Sequence, residues 1–184
     1  DLNFASPNLT GVKVDTLTPV ISSVTPPVNK TYNSKETLTF VLNYNKPVIT
    51  TGFPYFFIDI GGSWRKAYYV SGTGTSSLTF EYKISSGDND PDGISYQGPI
   101  FSNGGSIKDS FGNLSQNIIS NVTLASFFVE GVLPNISSIS STSGNYKSGD
   151  TLTFTVNYSE AVNVVGTPKL KLNIGSEIKE ASYV

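Results

Sequence analysis

Apolar and polar residues alternate along much of this chain, most clearly in residues 38–44 and 78–84. The apolar members are Leu38, Phe40, Leu42 and Tyr44 in the first run and Leu78, Phe80, Tyr82 and Ile84 in the second. Successive side chains of a strand point to opposite faces, so this period of two predicts strands with one buried face. Windows of helical length do not show the apolar period of about 3.6 residues that a helix requires.

Turn-forming residues separate the apolar runs, for example at Pro26-Pro27, Gly61-Gly62 and Asn103-Gly104. About seven short strands between such turns predict an all-β fold of the immunoglobulin-like β-sandwich type, with a barrel as the alternative. The composition favours the same class, because only 14% of residues are charged and Ser, Thr, Asn, Gly and Tyr are abundant.

The chain also repeats itself. PVISSV from Pro19 returns as PNISSI from Pro134, and ETLTFVLNYNKPV from Glu36 returns as DTLTFTVNYSEAV from Asp150. The offsets are 115 and 114 positions, and the second holds as far as Val184. A repeat of this length predicts a tandem array.

We interpret residues 1–18 as the last strand of a preceding repeat plus a linker, residues 19–131 as a complete repeat, and residues 132–184 as the truncated first half of a following repeat. Half a sandwich cannot bury a complete core, so residues 132–184 are expected to fray or to borrow a strand. We therefore expect this segment and the complete repeat to contact neighbouring repeats of the same chain. In a longer parent chain, another Asp-rich turn is expected near position 202.

Four phrases occur in a fixed order: TLTFxxNYxxxVxxxGxP, AYYVSGTGTSSLTFEY, GDNDPDGI and NGGSIKDSFGN. Together they resemble the Ig-like tandem repeats of very large bacterial cell-surface and adhesin-type proteins. The resemblance implies an extracellular or cell-surface location, a role in cell adhesion or as a spacer, and no catalytic residues.

Composition narrows the function further. His and Cys are absent, which excludes the common zinc sites and the Ser-His and Cys-His nucleophile systems. A net charge of −2 and a pI near 5.0 argue against nucleic acid as a partner. The apolar runs are too short for insertion into a membrane. We therefore expect a protein that is not an enzyme.

The stretch SGDNDPDGI is the candidate metal site. Asp88, Asp90, Asp92 and Gly93 match the first half of an EF-hand calcium loop, but Pro99 stands where the bidentate Glu is required. A calcium ion could still bind Asp88, Asp90, Asp92 and the backbone carbonyl of Ile94. The alternative is a solvated turn whose side chains bond to their own backbone.

The candidate binding surface follows from comparing the two copies. Tyr55 and Phe57 in the first copy are replaced by Lys169 and Lys171 in the second. Lysines indicate an outward-facing position, so we expect Tyr55 and Phe57 to be exposed, with Tyr68 on the same face and Trp64 close by. Such aromatics could bind a glycan or another surface protein, or a loop or adjacent repeat could cover them.

Overall fold

The computed structural model describes residues 8–184, and these contain strands, turns and bends but no helix. The all-β prediction is therefore confirmed. The chain divides into a first unit that ends at Val132 and a second unit, Leu133–Val184. Residues 8–18 contain a turn but no strand, and the rest of the strand expected in residues 1–18 lies outside the described residues.

Of the fifteen strands in residues 8–184, eleven lie in the first unit. They are β1 (Ile21–Thr25), β2 (Thr31–Asn33), β3 (Thr37–Thr51), β4 (Tyr55–Ile60), β5 (Ser63–Ser71), β6 (Thr75–Lys83), β7 (Asn89–Asp90), β8 (Ser95–Phe101), β9 (Ser106–Lys108), β10 (Val122–Thr123) and β11 (Phe128–Glu130). Most of them form one large antiparallel sheet in the order β1-β3-β6-β5-β4-β8-β10, with β9 paired to the end of β3. A smaller sheet has the order β2-β11-β7.

The large sheet folds over on itself around the core. The ring of Phe40 on β3 lies 5.7 Å from that of Tyr96 on β8, although three strands separate β3 from β8 in the sheet order. Neighbouring strands are about 4.8 Å apart, so a flat sheet would hold these two strands about 19 Å apart. The contact requires two layers that face each other, which is consistent with a β-sandwich.

The predicted alternation of burial is confirmed in the long strands. On β4, Phe56, Ile58 and Ile60 are buried, whereas the residues between them are half-buried on the opposite face. On β3 the burial alternates from Thr37 to Tyr44 in the same way. The apolar pattern therefore decides which face of each strand lines the core.

The second unit consists of two separate hairpin sheets. Strands β12 (Ile136–Ser141) and β13 (Phe154–Tyr158) form one, and β14 (Lys169–Ile174) and β15 (Glu177–Ser182) form the other. Their apolar side chains are at best half-buried. The core of this unit is therefore open, in contrast to that of the first unit.

The two units share local geometry as well as sequence. In the first unit β1 pairs antiparallel with β3, and in the second β12 pairs antiparallel with β13. In each pair the register is interrupted once, after Ile21 in β1 and after Ile136 in β12. Three side-chain hydrogen bonds also recur at equivalent positions. Tyr32 Oη donates to Val28 O, as Tyr146 Oη does to Thr142 O. Ser22 Oγ donates to Asn43 O, as Ser137 Oγ does to Asn157 O. Asn43 Nδ2 donates to Ser23 Oγ, as Asn157 Nδ2 does to Ser138 Oγ.

Candidate functional site

Asp88 is a buried carboxylate that joins three parts of the first unit. Its Oδ1 accepts hydrogen bonds from Arg65 of β5, with Nε and Nη2 both at 2.8 Å. Its Oδ2 accepts from Tyr82 Oη of β6 at 2.6 Å and from the backbone N–H of Ser85 at 2.8 Å. Both oxygens of this predicted metal ligand are thus bound by donors of the protein itself.

These donors also determine the ionisation of Asp88. Burial by itself would raise the pKa of this carboxyl group. The hydrogen bonds from Tyr82, Ser85 and Arg65 outweigh that effect, so the pKa of Asp88 lies below its ordinary value. The side chain is therefore a stable anion at neutral pH.

Asp90 is buried, and its carboxylate accepts hydrogen bonds from two turns. Its Oδ2 accepts from the backbone N–H of Gly61, in the turn between β4 and β5, at 2.8 Å. Its Oδ1 accepts from the N–H of Gly93 at 2.8 Å and of Asp92 at 3.3 Å. The carboxylate therefore satisfies backbone donors of its own turn and of a neighbouring one, which is a structural role.

The other two predicted calcium ligands are Asp92 and the backbone carbonyl of Ile94. Asp92 is exposed, and the carbonyl of Ile94 accepts the N–H of Leu124 at 2.8 Å. Within residues 8–184, no group of three or more acidic side chains is arranged to hold a metal ion. The geometry fits the alternative of a self-bonded turn, except that Asp88 and Asp90 are buried and not solvated. A calcium ion would have to displace existing donors, and calcium binding stays a prediction.

The four predicted surface aromatics lie together on the outer face of the large sheet. Tyr55 and Phe57 of β4 are 5.6 Å apart, and both are half-buried. Tyr68 lies 5.5 Å from Tyr55, and Trp64 lies 6.3 Å from Phe57. Trp64 is 50% exposed and Tyr68 41%, so these two β5 residues are the most accessible of the four.

Sequence reasoning missed a fifth ring. Phe101 at the end of β8 stacks on Tyr55 at 5.1 Å and meets Phe57 edge-on at 5.3 Å. It is far from Tyr55 in sequence, and only the pairing of Tyr55 with Phe101 across β4 and β8 brings them together. We call Tyr55, Phe57, Trp64, Tyr68 and Phe101 the aromatic cluster.

A lysine lies on this cluster. Lys66 Nζ is 4.4 Å from the centre of the Tyr55 ring, which is a cation–π contact. Lys66 and Phe101 thus both pack against the Tyr55 ring. The floor of the cluster is thus formed by Tyr55 and Phe57, and its accessible rim by Trp64, Tyr68 and Phe101.

The aromatic cluster is not needed to form the hairpin that carries it. In the second unit, β14 and β15 pair in the register of β4 and β5, with Lys169 opposite Ser182 where the first unit has Tyr55 opposite Tyr68. Lys169 there forms an ion pair with Glu180 at 2.7 Å. The same hairpin thus carries charged residues in one copy and aromatic residues in the other.

A second polar cluster was also missed by the sequence reasoning. Lys46 Nζ donates to Asp15 Oδ2 at 2.5 Å, to Leu17 O at 2.9 Å and to Asp109 Oδ2 at 2.9 Å. Asn113 Nδ2 donates to the carbonyl of Asp15 at 3.0 Å. We call Asp15, Lys46, Asp109 and Asn113 the linker clamp, since they fix the segment before β1 to the first unit.

The linker clamp depends on a strongly acidic Asp109. Its burial would raise the pKa, but hydrogen bonds from Asn113, Lys46 and the N–H of Phe111 hold the pKa of Asp109 well below its ordinary value. In turn, the carboxylates of Asp15 and Asp109 raise the pKa of Lys46. Nothing in the sequence pairs Asp109 and Asn113 with Lys46, so only the fold reveals this cluster.

Comparison of the chain with protein-family models, with curated proteins and with solved structures gives no match. Residues 8–184 contain no helix that is long and apolar enough to cross a membrane.

Proposed function

We propose that this chain is a non-enzymatic structural and adhesive module of immunoglobulin-like type, repeated in tandem in a large extracellular bacterial surface protein. The observation that carries the proposal is the recurrence, in Leu133–Val184, of the register and side-chain hydrogen bonds of the first unit. A module that is copied along a chain is typical of spacers and stalks. Its partners in this role are neighbouring repeats of the same protein.

The chemistry of the acidic turn supports a role without catalysis. Asp88 and Asp90 are bound by Arg65, Tyr82 and backbone N–H groups, so their oxygens serve the fold. The linker clamp adds a second support, because an array that holds a distal region away from the cell gains reach when its linkers are fixed.

Antibodies raised against the folded chain test the proposed location. They should label intact cells of the source organism, and brief treatment of those cells with an external protease should remove the label. An antibody against a cytoplasmic protein is the control for cell integrity. Labelling that requires permeabilised cells would contradict a surface protein.

The aromatic cluster favours a second candidate function, a ligand-binding module for a glycan or a partner protein. Its support is that the equivalent hairpin carries lysines in the second unit, so the fold does not demand these rings. Exposed contiguous aromatics on a folded domain are typical of contact surfaces.

Glycan arrays and pull-down from surface extracts would test this candidate with the full chain. Specific binding should be lost in Trp64→Ala/Tyr68→Ala and kept in Phe111→Ala, which removes an exposed aromatic residue outside the cluster. Trp64 is the single tryptophan, so its fluorescence reports directly on the cluster. If no ligand is found, or if both variants bind alike, the spacer role stands alone.

A further inference from the structure

The aromatic cluster has a polar neighbour, Asp59, that the fold leaves without a full set of partners. We infer that the cluster binds a neutral glycan, whose sugar ring stacks on Trp64 while one of its hydroxyl groups donates a hydrogen bond to Asp59. This inference rests on the second candidate function, ligand binding by the cluster, and names its ligand and a further binding residue.

Asp59 of β4 has a carboxylate oxygen without a hydrogen-bond donor. Its Oδ1 atom is buried, and no donor within residues 8–184 reaches it. By contrast, both oxygens of Asp88 and both oxygens of Asp90 accept hydrogen bonds. A buried acceptor without a donor costs free energy, so a ligand that supplies the donor gains an interaction that the fold leaves unused.

Strand pairing puts Asp59 at one end of the aromatic cluster. Asp59 lies opposite Trp64 of β5 and opposite Ser95 of β8. Residues directly opposite each other on paired strands share one face of the sheet. Asp59 as a whole is half-buried and Trp64 is half exposed, so both present surface on this outer face. A ring that stacks on Trp64 therefore lies beside the carboxylate.

Two more polar side chains lie within the cluster. Lys66 of β5 and Gln97 of β8 are both opposite Phe57, one on each side of it. The ammonium group of Lys66 donates hydrogen bonds, and the amide of Gln97 both donates and accepts them. A sugar has apolar C–H faces and a rim of hydroxyl groups, so it requires aromatic rings and such polar groups side by side. The outer face offers both.

The size of this surface favours a glycan over a protein. It spans three neighbouring strands and three successive outward positions on each, which is about 10 Å by about 14 Å. A stable protein interface buries about 800 Å² on each partner, which is several times this area. One or two sugar rings, in contrast, would cover it.

Charge further narrows the ligand. The carboxylate of Asp59 has an oxygen that no cation or other donor within residues 8–184 compensates. It would repel the carboxylate of a uronic acid or a sialic acid placed on Trp64. A neutral sugar avoids this repulsion and still supplies hydroxyl donors.

The probe is an array of neutral glycans and of acidic glycans that carry uronic or sialic acid, incubated with the labelled full chain. The neutral glycan that binds best is then titrated in solution, and the fluorescence of Trp64, the single tryptophan, reports its binding. We expect saturable binding, and at least about tenfold weaker binding of the same glycan carrying an acidic sugar.

Variants at Asp59 test the hydrogen bond. Asp59→Leu removes the acceptor at similar size and should weaken binding at least about tenfold. The same variant should not lower the melting temperature, because the oxygen that it removes has no donor in the fold. Asp59→Asn keeps a carbonyl acceptor and should bind better than Asp59→Leu. Asp92→Asn, which removes a charge from an exposed residue outside the cluster, should bind like the unaltered chain.

Two results would overturn the role of Asp59: glycan binding that Asp59→Leu leaves unchanged, or a melting temperature that this variant lowers. Preferential binding of acidic glycans would overturn the inferred neutral ligand. Capture of a surface protein through Trp64 and Tyr68, without binding of any neutral glycan, would also overturn it but would leave the second candidate function standing. If neither glycan nor protein binds, both fail, whereas surface labelling of cells tests the spacer role separately.

Discussion

Asp88 illustrates how a residue that resembles a metal ligand acts as a structural cross-link. Its carboxylate ties β5, β6 and the following turn together through Arg65, Tyr82 and the N–H of Ser85. A buried anion is tolerated when donors surround it, and removing its charge leaves those donors without an equivalent partner. The consequences can be measured with single substitutions.

Asp88→Asn should lower the free energy of unfolding by about 2 to 4 kcal/mol, because Arg65 and Tyr82 lose a buried charged acceptor. Urea denaturation of the full chain measures this change. Asp92→Asn is the matched control in the same turn, and it should cost less than about 0.5 kcal/mol since Asp92 is exposed. Equal effects of the two substitutions would contradict the cross-link.

Calcium binding has its own test. Calcium held by Asp88, Asp90, Asp92 and the carbonyl of Ile94 would raise the melting temperature relative to a chelator, and Asp92→Asn would reduce the shift. Because Asp88 and Asp90 already accept hydrogen bonds from the protein, the ion would have to displace those donors, and an unchanged melting temperature would contradict the calcium prediction. A calcium-dependent rise that is lost in Asp92→Asn would show that the turn rearranges around the ion.

The stability of the first unit should fall in acid. The pKa values of Asp88 and Asp109 are depressed below their ordinary value of 3.8, so the folded state resists protonation more than the unfolded chain. Their contribution is complete well above pH 3.8 and is lost as the pH falls through the folded pKa values. Urea midpoints measured from pH 7 to about pH 2 test this expectation. Asp109→Asn should lower stability at neutral pH and flatten the acid decline, whereas an unchanged slope would count against the linker clamp.

Turns between strands fix how the elements approach each other. Gly93, with φ of 111°, lies in the turn before β8, where an added Cβ would come within 2.6 Å of the Leu124 carbonyl oxygen and of Ala125 Cα. Gly74, in the β5–β6 turn, has φ of 83° but no atom within 4 Å of the same position. Comparing substitutions at the two glycines therefore separates the effect of close backbone contact from that of the left-handed conformation alone.

Gly93→Ala should lower the free energy of unfolding by more than about 3 kcal/mol, since backbone must move to make room. Gly74→Ala should cost about 1 to 2 kcal/mol, which is the penalty of a left-handed conformation alone. Thermal denaturation of the two variants gives the comparison. Equal losses of stability would mean that the backbone around Leu124 can shift at little cost in free energy.

The two units differ in how completely they bury their apolar residues. The first unit surrounds Phe40, Phe56 and Phe80, none of which has exposed surface. In the second unit, Phe154 and Leu170 are half-buried. The first unit is therefore expected to supply most of the stability of the chain, because buried apolar area is the main favourable term in folding.

Native-state hydrogen exchange should show this difference directly. Amides of β3, β4 and β6 should exchange slowest, since they lie in the middle of the large sheet. Amides of β12 to β15 should exchange faster by at least about 100-fold, because local opening there breaks few contacts. Equal protection in both units would imply that the second unit is closed in solution.

The sequence was sufficient for much of the molecule because its information is local. Alternation placed Phe56, Ile58 and Ile60 on the buried face of β4, and Gly61-Gly62 marked the turn that follows. The internal repeat matched the strands of the second unit to those of the first, since equal sequences favour equal local pairing. Comparison of Tyr55 with Lys169 also indicated the outward face of the hairpin.

Only the tertiary structure decided what depends on residues distant in the chain. Folding of the large sheet put Arg65 and Tyr82 beside Asp88, Phe101 on Tyr55, and Lys46 between Asp15 and Asp109. Local spacing made the Asp-rich turn resemble a calcium loop, but an acidic motif does not reveal which donors its oxygens will meet. Strand periodicity and turns are properties of neighbouring residues, whereas the partners of a buried charge are set by which strands the fold brings together.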